Sequence, residues 1–128
     1  EKKLLNNYGL KTLAKGEENY VEIYEGDGYK RDTSYHQGIT WPWLLGLYYN
    51  SLKNMIKNSK NKKQKVELEE KLEKFRAQIY KTFKNELNDN GCIGSIAELY
   101  DSVKPNLPKG AIAQGWSVAE VFRIILGK

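Results

Sequence analysis

The residues in this chain that could do chemistry are few, and they gather in one stretch, Gly94-Ser95-Ile96-Ala97-Glu98-Leu99-Tyr100-Asp101. Two carboxylates three residues apart, flanked by apolar and aromatic side chains, suit general acid–base work when helices hold the loop that carries them. The same pair also suits a turn or a solvated surface. The other reactive side chains are single. His36 is the one imidazole and Cys92 the one thiol. They lie far apart in sequence, so Cys92 reads as structural rather than as a nucleophile. One His and one Cys exclude the usual zinc ligand sets, and neither a metal nor another cofactor is expected.

Composition narrows the alternatives. The 128 residues are 40% hydrophobic and 29% charged, the balance of a soluble single unit spanning 1–128. A lone cysteine permits no intrachain disulfide, which points to a reducing, cytoplasmic setting. No apolar run approaches the ~20 residues that span a membrane, so no membrane partner is expected. The net charge of +5 invites a nucleic-acid reading. The excess, however, sits at Lys53, Lys57, Lys60, Lys62, Lys63 and Lys65 around one helix–helix connection, with no aromatic residue between Ile56 and Phe75 for bases to stack on. A solvated connection is the better account, and no nucleic acid is expected.

The elements that must position the loop are helices. Leu68, Leu72, Phe75, Ile79, Phe83 and Leu87 recur at spacings of four, three, four, four and four, with Glu67, Glu69, Glu70, Lys71, Glu73 and Lys74 opposite. Asn90-Gly91 ends that helix. An earlier helix is expected from Thr40-Trp41-Pro42 to Asn58, apolar nearly all round in its first half and therefore buried there. A last helix is expected from Trp116, with Ser117 as N-cap and Glu120 completing a capping box. Residues 1–7 read as the last turns of a helix stopped at Tyr8-Gly9. Two long segments, 8–39 and 91–115, lack helical periodicity. Within the first, Tyr20-Val21-Glu22-Ile23-Tyr24 suits a short extended piece ended by the turn Gly26-Asp27-Gly28. The expected fold class is therefore all-α, a partial α/α toroid whose long aromatic loops line a cleft.

Three segments give the chain a family resemblance: Tyr8-Gly9-Leu10-Lys11-Thr12-Leu13, Tyr35 through Trp43 (YHQGITWPW), and Ala113 through Val121 (AQGWSVAEV). With Gly94–Asp101 between the last two, the chain resembles the C-terminal glucosidase domain of glycogen debranching enzymes. The resemblance implies the last helices of an (α/α)6 barrel. It also implies hydrolysis of α-1,6-linked glucosyl stubs in glycogen or branched malto-oligosaccharide, by an inverting mechanism that needs two carboxyl groups about 6.5–9.5 Å apart. Glu98 maps onto the family's general base. The family's acid is an Asp on an earlier segment, and Asp27, Asp32 and Asp101 lie outside the matching position. By the same likeness Lys11, Tyr35, His36, Gln37, Trp41 and Gln114 are substrate-binding candidates: His36 and Gln37 for sugar hydroxyls, Trp41 or Trp43 for a pyranose face. Packing roles compete for each. Trp43 reads as core and Gln114 as a loop anchor beside Trp116.

Lys11 stands where the family commonly has Arg and cannot form the same fork. Ser102-Val103 replace a Gly-Asp pair. The leading expectation is a fragment that carries the base but not the acid and has no activity alone. The alternative is a non-catalytic carbohydrate-binding or regulatory remnant that folds by oligomerising.

Overall fold

The computed structural model describes residues 3–128. Among the described residues there are four helices and a four-stranded antiparallel sheet, in the order β1 (Leu10–Lys11), α1 (Gly28–Ser34), β2 (Thr40–Trp41), α2 (Leu44–Asn58), α3 (Lys62–Asp89), β3 (Leu99–Tyr100), β4 (Pro108–Lys109), α4 (Gly115–Ile125). The sheet overturns the all-α, partial-toroid expectation. Its order is β1-β2-β3-β4, with Leu10 opposite Trp41, Thr40 opposite Tyr100 and Leu99 opposite Lys109. Each strand has two residues, too few to show alternation. The pairing is set instead by contacts between residues distant in sequence. Pro108 sits on the edge strand, where a missing N–H costs least.

The two residues of β3 face opposite sides of the sheet. Tyr100 turns into a core with Leu45, Tyr49, Ile79, Phe83, Ile96, Val121 and Ile124, against which Leu10 also packs. Leu99, one residue earlier, joins a second cluster with Ile39 and Trp41, covered by Val21, Tyr24, Tyr35, Trp43 and Leu44. The sheet thus separates a helical core from an aromatic one.

The periodicity of α3 holds: Leu68, Ile79 and Phe83 are buried, and Leu72, Phe75 and Leu87 pack against the core. Asn61 caps its start, accepting from the N–H groups of Lys63 and Gln64. Four other expectations change. The helix expected from Thr40 begins at Leu44, because Thr40 and Trp41 are committed to the sheet. Its first half is buried only on one side, at Leu45, Gly46 and Tyr49, while Leu47 is exposed. Gln114 rather than Ser117 caps α4; Ser117 lies inside the first turn, fully buried, and Glu120 pairs with Arg123 at 2.6 Å. Of the N-terminal helix expected over 1–7, residues 1 and 2 lie outside the described residues. Leu5 forms a bridge to Leu10 rather than a helical turn.

Gly9 therefore has a different task from stopping a helix. A Cβ there would lie 2.3 Å from the carbonyl oxygen of Trp41, so glycine lets the two backbones meet. In the segment read as loop, Asp27 accepts from the N–H of Lys30 at 2.9 Å and starts the short α1, which delivers Tyr35 and His36. Among the described residues no helix is long and apolar enough to cross a membrane.

Candidate active site

Glu98 sits just before β3, half-buried, its backbone N–H bonded to the carbonyl of Ala111 at 2.8 Å. The Ala111 N–H returns the contact, donating to Glu98 Oε2 at 3.0 Å. The Tyr35 hydroxyl donates to Oε1 in a short hydrogen bond. Both carboxylate oxygens are held, and each keeps a lone pair for a further donor such as water. Gly110 makes this possible. Its φ is +68°, and a Cβ would lie 2.4 Å from Oε2. Burial, then the hydrogen bond to and the charge of Glu98, push the Tyr35 phenol well above its ordinary range, so it stays a donor at neutral pH.

Tyr35 links Glu98 to an aromatic cavity. A cavity of about 460 Å³ is lined by Tyr35, His36, Trp41, Trp43, Trp116 and Thr12, with Leu44 at its edge. The rings brace one another. His36 stacks on Trp41 at 5.5 Å and 14° between planes, and Tyr35 meets Trp41 edge-on at 4.7 Å. Trp43 and Trp116 tilt together at 6.3 Å, and Trp116 is 49% exposed. Such a surface offers an apolar platform of the kind a pyranose face stacks on.

Asp101 is not a second catalytic group here. It is 4% exposed and reaches away: Oδ1 accepts from the Tyr24 N–H at 2.8 Å, and Oδ2 lies 3.6 Å from Lys109 Nζ. It thereby ties the 20–24 segment across β3 and keeps Tyr24 against Tyr35, ring centroids 5.7 Å apart. A further carboxylate steadies β3 from below. Glu86, 3% exposed in the last turn of α3, accepts from the Tyr100 hydroxyl at 2.9 Å and from Asn90 Nδ2 at 3.1 Å. Burial and then the nearby Glu86 charge push the Tyr100 phenol far up, and the same two causes raise Tyr8.

The chain matches the family model described as amylo-alpha-1,6-glucosidase over residues 1–123. It belongs to that family. Comparison with curated proteins gives no match.

The candidate residues of this glucosidase-family chain divide into two groups. Tyr35, His36 and Trp41 meet at the aromatic cavity, joined through Tyr35 to Glu98. Lys11, Gln37 and Gln114 are placed elsewhere. Gln37 lines a separate polar cavity with Asn19, Tyr20 and Thr33. Lys11 lines a third recess, its ammonium 5.8 Å from the Tyr20 ring centroid. Gln114 spends its side chain on the Gly115 N–H and its own N–H on the Ile96 carbonyl, anchoring α4 to the loop. Trp43, read as core, lines the cavity, whereas Trp41 is 4% exposed and presents only part of its ring. Sequence reasoning passed over Thr12 and Trp116 as lining residues and Glu86 altogether. Trp116 had one available signal, a large ring at the start of a helix beyond its apolar face. Glu86 had another, an acid at the i+7 position from Ile79 and i+3 from Phe83, on the face that is otherwise apolar.

Proposed function

We propose that this chain supplies the base half of a glucosidase that removes α-1,6-linked glucosyl stubs from glycogen or branched malto-oligosaccharide. One observation carries the reading: a half-buried carboxylate, Glu98, is fixed at both oxygens beside an open cavity walled by five aromatic or imidazole rings. Family membership supports the substrate class. In this reading a glucosyl ring stacks on the half-exposed Trp116, which Trp43 backs, and His36 faces its hydroxyls. Glu98 accepts a proton from the water that attacks the anomeric carbon on the face opposite the leaving oxygen. Tyr35 and the Ala111 N–H aim the carboxylate and spread its charge while it is still unprotonated. The acid that protonates the leaving oxygen is a carboxyl group outside the matching segments of this chain, about 6.5–9.5 Å from Glu98 as inversion requires.

The test is glucose release from a branched limit dextrin. The 128-residue chain by itself should release none. In an enzyme containing both halves, Glu98→Gln should lower kcat by about 10²–10⁴-fold, the span usual for a lost general base, with little change in KM. Turnover by the chain alone, or near-normal kcat in Glu98→Gln, would overturn the assignment.

A second reading has its own observation. Leu47 and Met55, eight residues apart on one side of α2, are 55% and 50% exposed. That face fits a non-catalytic glucan-binding remnant that assembles with another copy. Glucan-dependent tryptophan quenching without turnover, together with a dimer in light scattering, would favour it; a monomer would remove it.

A further inference from the structure

Asp101 follows Glu98 by three residues, and each of its carboxylate oxygens goes to an element that delivers one donor to Glu98. On one side Oδ1 accepts from the Tyr24 N–H at 2.8 Å. The Tyr24 ring packs on the Tyr35 ring, centroids 5.7 Å apart, and the Tyr35 hydroxyl donates to Glu98 Oε1. On the other side Oδ2 lies 3.6 Å from Lys109 Nζ in β4, two residues before Ala111, whose N–H donates to Glu98 Oε2 at 3.0 Å. Two arms thus leave from the two oxygens of one carboxylate and arrive at the two oxygens of the other.

Both arms are tied at intermediate points. Lys109 pairs across the sheet with Leu99, the residue after Glu98, and the Ala111 carbonyl accepts from the Glu98 N–H at 2.8 Å. The Val21 N–H bonds the Gln37 carbonyl at 2.6 Å, so a shift of the 20–24 segment reaches the loop that carries Tyr35. Asp101 is itself fixed: its N–H donates to the Leu107 carbonyl at 3.0 Å, and its carbonyl accepts from Asn106 Nδ2 at 2.8 Å. It is also buried. A buried carboxylate loses its hydration, and one backbone N–H with one long ion pair replaces only part of it, so stability alone is a poor account of an aspartate there.

We propose that Asp101 is the positioning residue for Glu98, one buried carboxylate that sets both of the donors aiming the base. The inference rests on the reading of Glu98 as general base, but the two arms can be tested without turnover. The test uses the 128-residue chain at neutral pH, with two local readouts: the ¹³Cζ shift of Tyr35 for the first arm and the amide shift of Ala111 for the second. Glu98→Ala, which removes both bonds, calibrates each shift. Asp101→Ala should carry both signals at least half-way to their Glu98→Ala values. Lys109→Met should move Ala111 alone. Asp101→Asn keeps an oxygen for Tyr24 and should also move Ala111 alone, so these two variants serve if Asp101→Ala fails to fold. Leu68→Ala, a buried position in the first half of α3, lowers stability and should move neither signal. An Asp101→Ala chain that behaves like Leu68→Ala overturns the proposal, as does an unmoved Ala111 signal in Lys109→Met. Either result leaves the base assignment of Glu98 standing, because that assignment is decided separately by the kcat of Glu98→Gln.

Discussion

Replacing Asp101 separates the fold's hold on the Glu98 loop from the chemistry of Glu98 itself. In Asp101→Ala the Tyr24 N–H loses a 2.8 Å bond to a buried carboxylate, and Lys109 loses its partner. A hydrogen bond to a charged group is worth about 1.5–3 kcal/mol, with a further cost for the N–H left unpaired. The ion pair adds less than about 1 kcal/mol, because it is 3.6 Å long and Lys109 is 24% exposed to screening water. Together the loss should be about 2–4 kcal/mol. Unfolding entropy of about 2.1 cal/mol/K per residue, over 128 residues, makes 1 kcal/mol worth roughly 4 °C. Asp101→Ala should therefore lower Tm by about 8–15 °C. Asp101→Asn keeps an oxygen for Tyr24 and should lose only about 4 °C, as should Lys109→Met, which removes the ion pair alone. Thermal unfolding followed by circular dichroism at matched pH and salt decides it. A Tm for Asp101→Ala within about 2 °C of the parent would refute the reasoning. So would a Lys109→Met variant as damaged as Asp101→Ala, since the ion pair would then outweigh the hydrogen bond.

Gly110→Ala should cost about 1–3 kcal/mol in stability, from a left-handed φ of +68° and a Cβ placed 2.4 Å from Glu98 Oε2; chemical denaturation measures it, and a change under about 0.5 kcal/mol would count against the close approach. Stability should fall on the alkaline side. The unfolded Tyr35 and Tyr100 phenols titrate near pH 10, whereas the folded ones hold their protons above that value. The folded state therefore binds more protons, its stability is fully present below about pH 10, and it is lost as pH rises through the folded values. Tyr100→Phe should flatten that slope in pH-dependent denaturant melts. Trp116→Ala, at a half-exposed ring, should leave Tm within about 3 °C and weaken branched-glucan binding by about tenfold in fluorescence titration, near the upper end of the ~0.5–1.5 kcal/mol of an aromatic contact; unchanged affinity would move the sugar platform elsewhere.

The helices were legible because their signal is local. The 28 residues of α3 repeat an apolar side often enough for periodicity alone to find it. The sheet was not legible, for the opposite reason: its pairs join residue 10 to 41, 40 to 100 and 99 to 109, and no strand is long enough to alternate. Missing it also misplaced the start of α2, since Thr40 and Trp41 read as helix when taken with Pro42. Ser117 and Glu120 had the spacing of a capping box, but tertiary contacts won. The bond of the Gln114 N–H to Ile96 sets the cap three residues earlier, and Arg123 takes Glu120. In the site, motif order was enough to bring Tyr35, His36, Trp41 and Glu98 into consideration. It gave no sign that Lys11, Gln37 and Gln114 lie away from the aromatic cavity, because neighbours in a short motif can face opposite ways. His36 and Gln37 are adjacent and line separate cavities.

Tyr35 is where fold and site meet most directly, and its role follows from the sheet rather than from the helices. Read as a sugar contact, Tyr35 would be one of several interchangeable polar groups around a ring. Its hydroxyl is instead occupied by Glu98, while its ring packs on Trp41 of β2 and Tyr24 of the segment that Asp101 holds. The carboxylate is thus positioned by an aromatic wedge between β2 and the 20–24 segment, which Asp101 and the Val21 N–H bond to Gln37 hold in place. A phenol in that position cannot donate to a glucan without releasing Glu98, so toward a sugar it can act only as an acceptor. Removing it in Tyr35→Phe should therefore act on Glu98 first: in an enzyme with both halves, kcat should fall while KM moves little. If KM rose with kcat unchanged, Tyr35 would be a substrate contact, and the positioning of Glu98 would rest on the Ala111 N–H alone.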